Sequence, residues 1–293
     1  MVSVAIVLGL VLAFCFGTSD YLSKGLTGKV GFYRTTVYTL AVSGVFAIAP
    51  TLLLGIPRQP SFSDAAILAL VALSTFIAFL FMYRGYQKGH LSIVSPTVNS
   101  FPIFSVLIAV FVLKVSLSLN VLLALTGVIL GILLVSTNFS SLGSSKGRRL
   151  TPGVPEAILA AFFFAVTFTS LGYADLTVGY LFPVVAARLG AALVGALAGL
   201  ALKQNLKPFG GEPLLRLLVM GALEAAGILA FTLALFYTST IAILPITTTL
   251  GGMGVVFTVG LALIFLKERV EPSYAIGAVV LIASVAALLY FTA

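Results

Sequence analysis

The stretch NFSSLGSSKGRRLTPG, residues 138–153, is the longest polar run in a predominantly apolar chain. It carries Lys146, Arg148 and Arg149, is rich in Ser and Gly, and falls near the middle of the 293 residues. Small polar residues bury no apolar surface and tolerate many backbone conformations, so the stretch reads as a linker. Its flanks decide the fold. On each side lie five apolar runs, and a helix needs about 20 apolar residues to cross a bilayer. The runs are 3–24, 32–54, 64–87, 91–113 and 118–137, then 154–175, 179–202, 213–237, 241–265 and 271–291. The expected organisation is therefore a first five-helix unit at 1–137, a linker at 138–153 and a second unit at 154–293.

Composition places those runs in lipid. Hydrophobic residues make up 60% of the chain and charged residues only 8%, with a mean hydropathy of +1.21. Soluble domains are about 25% charged. The first partner is thus the lipid bilayer, with a prokaryotic cytoplasmic membrane as the expected location. The net charge of +8 would suggest nucleic acid in a soluble protein. No basic run is interleaved with aromatics, and surplus Lys and Arg orient membrane proteins, so no nucleic acid is expected. One Cys (Cys15) and one His (His90) argue against an internal disulfide and against Cys- or His-based metal sites. No cofactor is expected. The first run starts at residue 3 without a small-residue cleavage site, which marks a retained span. The chain lacks the Gly-x-x-x-x-Gly-Lys-Ser/Thr loop of an ATP-driven pump.

The halves resemble each other at spacings near 150 residues. Arg34 matches Arg188, SPTVNS (95–100) matches LPITTT (244–249) with Pro96 on Pro245, and Lys114 matches Lys267. Ala124 and Gly131 fall on Gly277 and Ser284. Five is an odd number of helices, so a second copy enters the membrane upside down, as in many secondary transporters. Ten helices from a 5+5 duplication, together with LKERVEPSYAIGAVVLIAS (266–284), resemble the drug/metabolite transporter superfamily, and within it the EamA-type permeases. Those commonly carry Gly-Glu-Arg after the ninth span and a Gly nine residues beyond the Glu. Here Lys267 replaces the first Gly, Glu268-Arg269 is kept and Gly277 has that spacing; Lys114-Val115-Ser116 in the first half lacks the Glu-Arg. The resemblance implies helices around a central cavity, alternating access, and a metabolite, amino acid or drug as the small-molecule substrate.

Charge distribution speaks to orientation. Apart from Arg34 and Arg188, only Arg58 and Lys114 among the basic residues fall on one face of the ten-span arrangement. Positive loops stay in the cytoplasm, which puts both termini outside; the family resemblance implies both inside.

Candidate site residues are few. Glu224, in VMGALEAAGILAF (219–231), lies eleven residues from each end of its run, while its repeat counterpart falls near Ser74 and Thr75. Intramembrane charge is a functional hypothesis by default. Three readings stay open: a proton carrier, a contact for a substrate amine, or a structural pair with Arg188 or Arg34. An arginine can also clamp a carboxylate bidentately, so an amino acid offers one group to each. Pro96 and Pro102 are expected to interrupt the fourth span and Pro245 the ninth. Asn99 and Thr248, each three residues after a proline, are then cavity-lining candidates. The alternative for Thr247, Thr248 and Thr249 is bonding back to their own helix. Asp20 and Asp175 are expected in last turns within reach of water. Ala191, Gly195 and Gly199 form a packing ridge. The expected function is a secondary transporter of a small organic solute, with export and proton coupling as open options for its direction and drive. The enzyme alternative is an intramembrane protease using Gly17-Thr18-Ser19 with His90; a non-transporting membrane protein is the other.

Overall fold

A computed structural model describes residues 2–54, 62–136, 152–266 and 273–292. Nearly all of the linker 138–153 and the Glu268-Arg269 pair lie outside them. Within lipid no water satisfies a free amide or carbonyl, so an element must close its hydrogen bonds internally. The described residues accordingly form helices: α1 (Val2–Val30), α2 (Phe32–Leu54), α3 (Phe62–Lys88), α4 (Leu91–Val98), α5 (Phe101–Leu107) and α6 (Leu119–Ser136). After the linker come α7 (Val154–Val178), α8 (Phe182–Ala201), α9 (Glu212–Thr238), α10 (Leu244–Gly252), α11 (Gly254–Leu261) and α12 (Ser273–Thr292). Eight spans among the described residues are long and apolar enough to cross a membrane. Two of these, Ile93–Val112 and Ile241–Phe265, consist of shorter pieces.

The first piecewise span breaks at Asn99 and Ser100, between α4 and α5. Pro102 sits in the first turn of α5, where its missing N–H is harmless because first-turn amides lack intrahelical partners. Pro96 lies inside α4, one turn before the break. The second span corrects an expectation. Pro245 does not interrupt a helix; it occupies the first turn of α10, after a 3-10 turn at Ile241–Ile243. The interruption falls at Met253, between Gly252 and Gly254. Both spans finish in a π-helical turn, Ile108–Val112 and Ala262–Leu266.

Helix pairing comes in matched couples. α1 packs on α9 and α3 on α7; α2 packs on α9 and α3 on α8. Likewise α1 touches α10 and α11, while α7 touches α4 and α5. Further contacts join α2 with α8, α6 with α12, and α5 with α10. α8 shows how one helix serves protein and lipid together. Ala191, Gly195 and Gly199 face inward, where a Cβ on Gly195 would meet Phe76 and one on Gly199 would meet Tyr33. Leu193, Leu197 and Leu200 face outward. The ridge is packing, as its spacing suggested.

Charges collect at one end of the bundle. Lys29 and Arg216 hold Glu212, Lys88 and Arg84 hold Glu156, and Arg34 reaches the Lys207 carbonyl. These contacts put the C-terminal ends of α1 and α3 beside the N-terminal ends of α7 and α9.

Candidate functional site

Glu224 projects from the middle of α9 toward α1 and α8, with its side chain 2% exposed. Ser19 of α1 donates its hydroxyl to Glu224 Oε1 at 2.9 Å. Arg188 of α8 donates from Nη2 to Oε2 at 3.2 Å. The guanidinium also lies over the Phe79 ring of α3, 4.7 Å from its centroid, so a cation–π contact covers the face that the carboxylate leaves free. Three helices and one ring thus enclose a single ion pair. Of the ion pairs among the described residues, only this one has both side chains buried. Arg188 Nη1 is buried with no hydrogen-bond partner.

The pair opens onto a cavity in two lobes. The first has a cavity volume of about 20 Å³ and lies between Phe16, Asp20, Phe79, Met82, Val98, Asn99, Phe101, Phe164, Phe168 and Glu224. The second has a cavity volume of about 10 Å³ and shares Phe16, Phe79, Phe164 and Phe168 with the first. Thr75, Thr167, Leu171, Arg188 and Ile228 line this second lobe. Phe101 stacks on Phe168 with centroids 5.1 Å apart, and Phe231 meets Phe168 edge-on at 4.9 Å. Polar atoms are therefore few and set in aromatic walls, the usual make-up of a small-molecule pocket.

Helix α1 brings a second carboxylate. Asp20 is buried and lines the first lobe. It does not reach bulk water, because α1 continues ten residues beyond it to Val30. Asn99, at the α4–α5 break, donates Nδ2 to Ser95 O at 2.9 Å and lies 3.4 Å from Asp20 Oδ2. The break matters here: a residue at the end of α4 turns its amide inward to a partner on another helix. Asp175 corrects the same expectation, for it is fully buried near the end of α7.

Of the sequence candidates, Glu224, Arg188 and Asn99 come together. Arg34 does not join them. It bonds the Val30 carbonyl at 2.7 Å and lies over Phe209 at the charged end of the bundle. Thr248 is buried but donates to Leu244 O and Pro245 O, and Thr247 and Thr249 likewise bond to their own helix. Pro96 stands three residues from Asn99, and Pro102 and Pro245 start helices. Asp20 as a cavity residue was missed. The signal lies in α1, where Ser19, Asp20, Ser23 and Thr27 recur every three or four residues and are all buried. The protease arrangement does not assemble: Ser19 bonds Glu224, while His90 is exposed before α4.

Ser74, the counterpart expected for Glu224, accepts a hydrogen bond from Thr167 at 3.0 Å.

Helices that cross a bilayer, broken spans and a buried ion pair beside an aromatic cavity define a multi-pass membrane protein with an internal site. Residues 3–137 match the model of the EamA-like transporter family. One solved crystal structure of a protein shares the fold at a TM-score of 0.73 and 18% identity, covering 99% of this chain and 97% of that chain. A search of curated proteins returns no match.

Proposed function

We propose that the chain is a secondary transporter that carries a small organic solute across the membrane by alternating access. The observation that carries this reading is the two-lobed cavity, set against the broken α4–α5 span and holding the Glu224–Arg188 pair. Irregular backbone at membrane depth persists only where protein or a cavity satisfies it. Transporters place their sites at such breaks. A ten-helix arrangement of two inverted five-helix repeats is part of the reading. Its support is the coupled helix pairing, the two breaks each followed by a π turn, and the matching Thr167–Ser74 and Ser19–Glu224 contacts.

Alternating access then has a physical form. The aromatic walls close the cavity, and rocking of α4–α5 and α10–α11 about Asn99–Ser100 and Met253 opens one end or the other. The Glu224–Arg188 pair reorganises as solute enters, because Arg188 Nη1 has an open donor. Purified protein in proteoliposomes loaded with candidate solutes is expected to exchange them without ATP. Glu224→Gln, which keeps the shape but cannot ionise, is expected to lose most of that exchange. Wild-type rate and pH dependence in this variant would remove Glu224 from the mechanism. Detergent-active proteolysis abolished by Ser19→Ala would replace transport with hydrolysis.

A further inference from the structure

Four ionisable side chains of the acidic and basic types are buried among the described residues: Asp20, Asp175, Arg188 and Glu224. Glu224 and Arg188 satisfy each other. That leaves two carboxyl groups and no buried cation to match them. Asp20 forms no ion pair within 4.0 Å among the described residues. Lys24, one turn further along α1, gives its ammonium to the Tyr86 and Gly89 carbonyls. Both Asp175 oxygens are buried, and the Thr232 hydroxyl of α9 faces them at the edge of hydrogen-bond reach.

One acid lines the cavity and the other lies a helical turn beyond it. Asp20 lines the first lobe. Leu171 of α7 and Ile228 of α9 line the second. Asp175 and Thr232 each follow those residues by four positions, hence on the same helix faces and about 6 Å further along. The direction is away from the charged end, since α7 and α9 both start there. From that end the order is Asp20, then the neutral Glu224–Arg188 pair, then Asp175 with Thr232. Five phenylalanine rings wall the first lobe or the junction of the two, and aromatic faces attract cations where water is excluded.

We propose that the transported solute is an organic cation with an apolar body, held first at Asp20 and then at Asp175 on the two sides of the Glu224–Arg188 pair. This rests on the transport reading and assigns its substrate class. Anions would meet two acidic groups and no buried cation beyond the one that Glu224 already holds. Neutral solutes would leave both unpaired.

The test is isothermal titration of the purified full-length protein in detergent with three solutes of one size: phenethylamine, phenethyl alcohol and phenylacetate. Phenethylamine is expected to bind at least about tenfold more tightly than the other two. Asp20→Asn is expected to remove that preference and Asp20→Glu to keep it, which separates lost charge from lost fold. Asp175→Asn is expected to keep equilibrium binding but slow phenethylamine exchange in proteoliposomes. Equal or tighter binding of phenylacetate or the alcohol overturns the proposal, and so does an unchanged preference in Asp20→Asn. Proton uptake that depends on Asp20, without binding of any organic cation, also overturns it by making the proton the sole cation. Exchange of anionic or neutral solutes without phenethylamine binding defeats the substrate class and leaves transport standing. Phenethylamine binding at Asp20 with no exchange of any solute defeats transport and leaves the cation site.

Discussion

Glu224 takes a hydroxyl on one oxygen and a guanidinium on the other, and that division sets what its removal would cost. Taking away one partner of a buried pair strands the other charge, at about 3–5 kcal/mol. Glu224→Ala is therefore expected to lower the unfolding free energy by about 3 kcal/mol, read from denaturant melts of the protein in micelles. Adding Arg188→Leu to that variant is expected to recover most of the loss, because no charge then remains stranded. A double variant no more stable than Glu224→Ala would show that Arg188 gains little from the pair. The depth of Glu224 in its helix was readable from residue counts alone. Its choice of Arg188 over Arg34 was not, since position along a helix says nothing about which neighbour stands beside it. Arg188 points between α9 and α3, whereas Arg34 sits at the start of α2 among the helix ends.

Helix α1 crosses the broken α10–α11 span at a point that admits no side chain. A Cβ on Gly17 would stand 2.2 Å from the Gly254 carbonyl oxygen and 2.8 Å from Phe257 Cβ. Thr258 locks the crossing by donating to Gly17 O at 3.0 Å and Gly254 O at 3.1 Å. Gly17→Ala is expected to push the helices apart and cost about 1–3 kcal/mol. Gly28→Ala on the same helix has open space around it and is expected to be neutral or to gain about 0.5–1 kcal/mol. Thermal unfolding of the two variants side by side measures the contrast. Equal midpoints would mean that the Gly17 crossing yields. Prolines indicated that both spans are irregular but mislocated the second break. Proline at a helix start and proline inside a helix look alike until the start is known, and Met253 between two glycines carried the break instead.

The bundle has one basic end and one nearly uncharged end, and α1 runs from the second to the first. Positive loops stay in the cytoplasm, so the N-terminus is expected outside. Single cysteines in a Cys15→Ala background test this. Lys114→Cys, at the low-charge end, is expected to react with a membrane-impermeant maleimide in intact cells. Asn205→Cys, beside Arg34 in a surface pocket, is expected to react only in inverted vesicles. The opposite pattern would reverse the orientation and make the charge asymmetry a feature of the chain alone.

Hydropathy and turn-forming residues were enough to establish a helical membrane protein, because lipid forces every spanning segment to satisfy its own backbone and leaves a long apolar run as the trace. The carboxylate deep in α9 was visible for the same reason, as a group that lipid would reject without a partner. Which side chains meet across helices depended on rotation about each helix axis and on the pairing of α1 with α9 and α3 with α7. Those are set by ridges and small residues many positions apart. Only packing therefore turned Ser19 and Arg188 toward Glu224, drew Asp20 into the cavity with Asn99, and left Arg34 and Thr248 outside it.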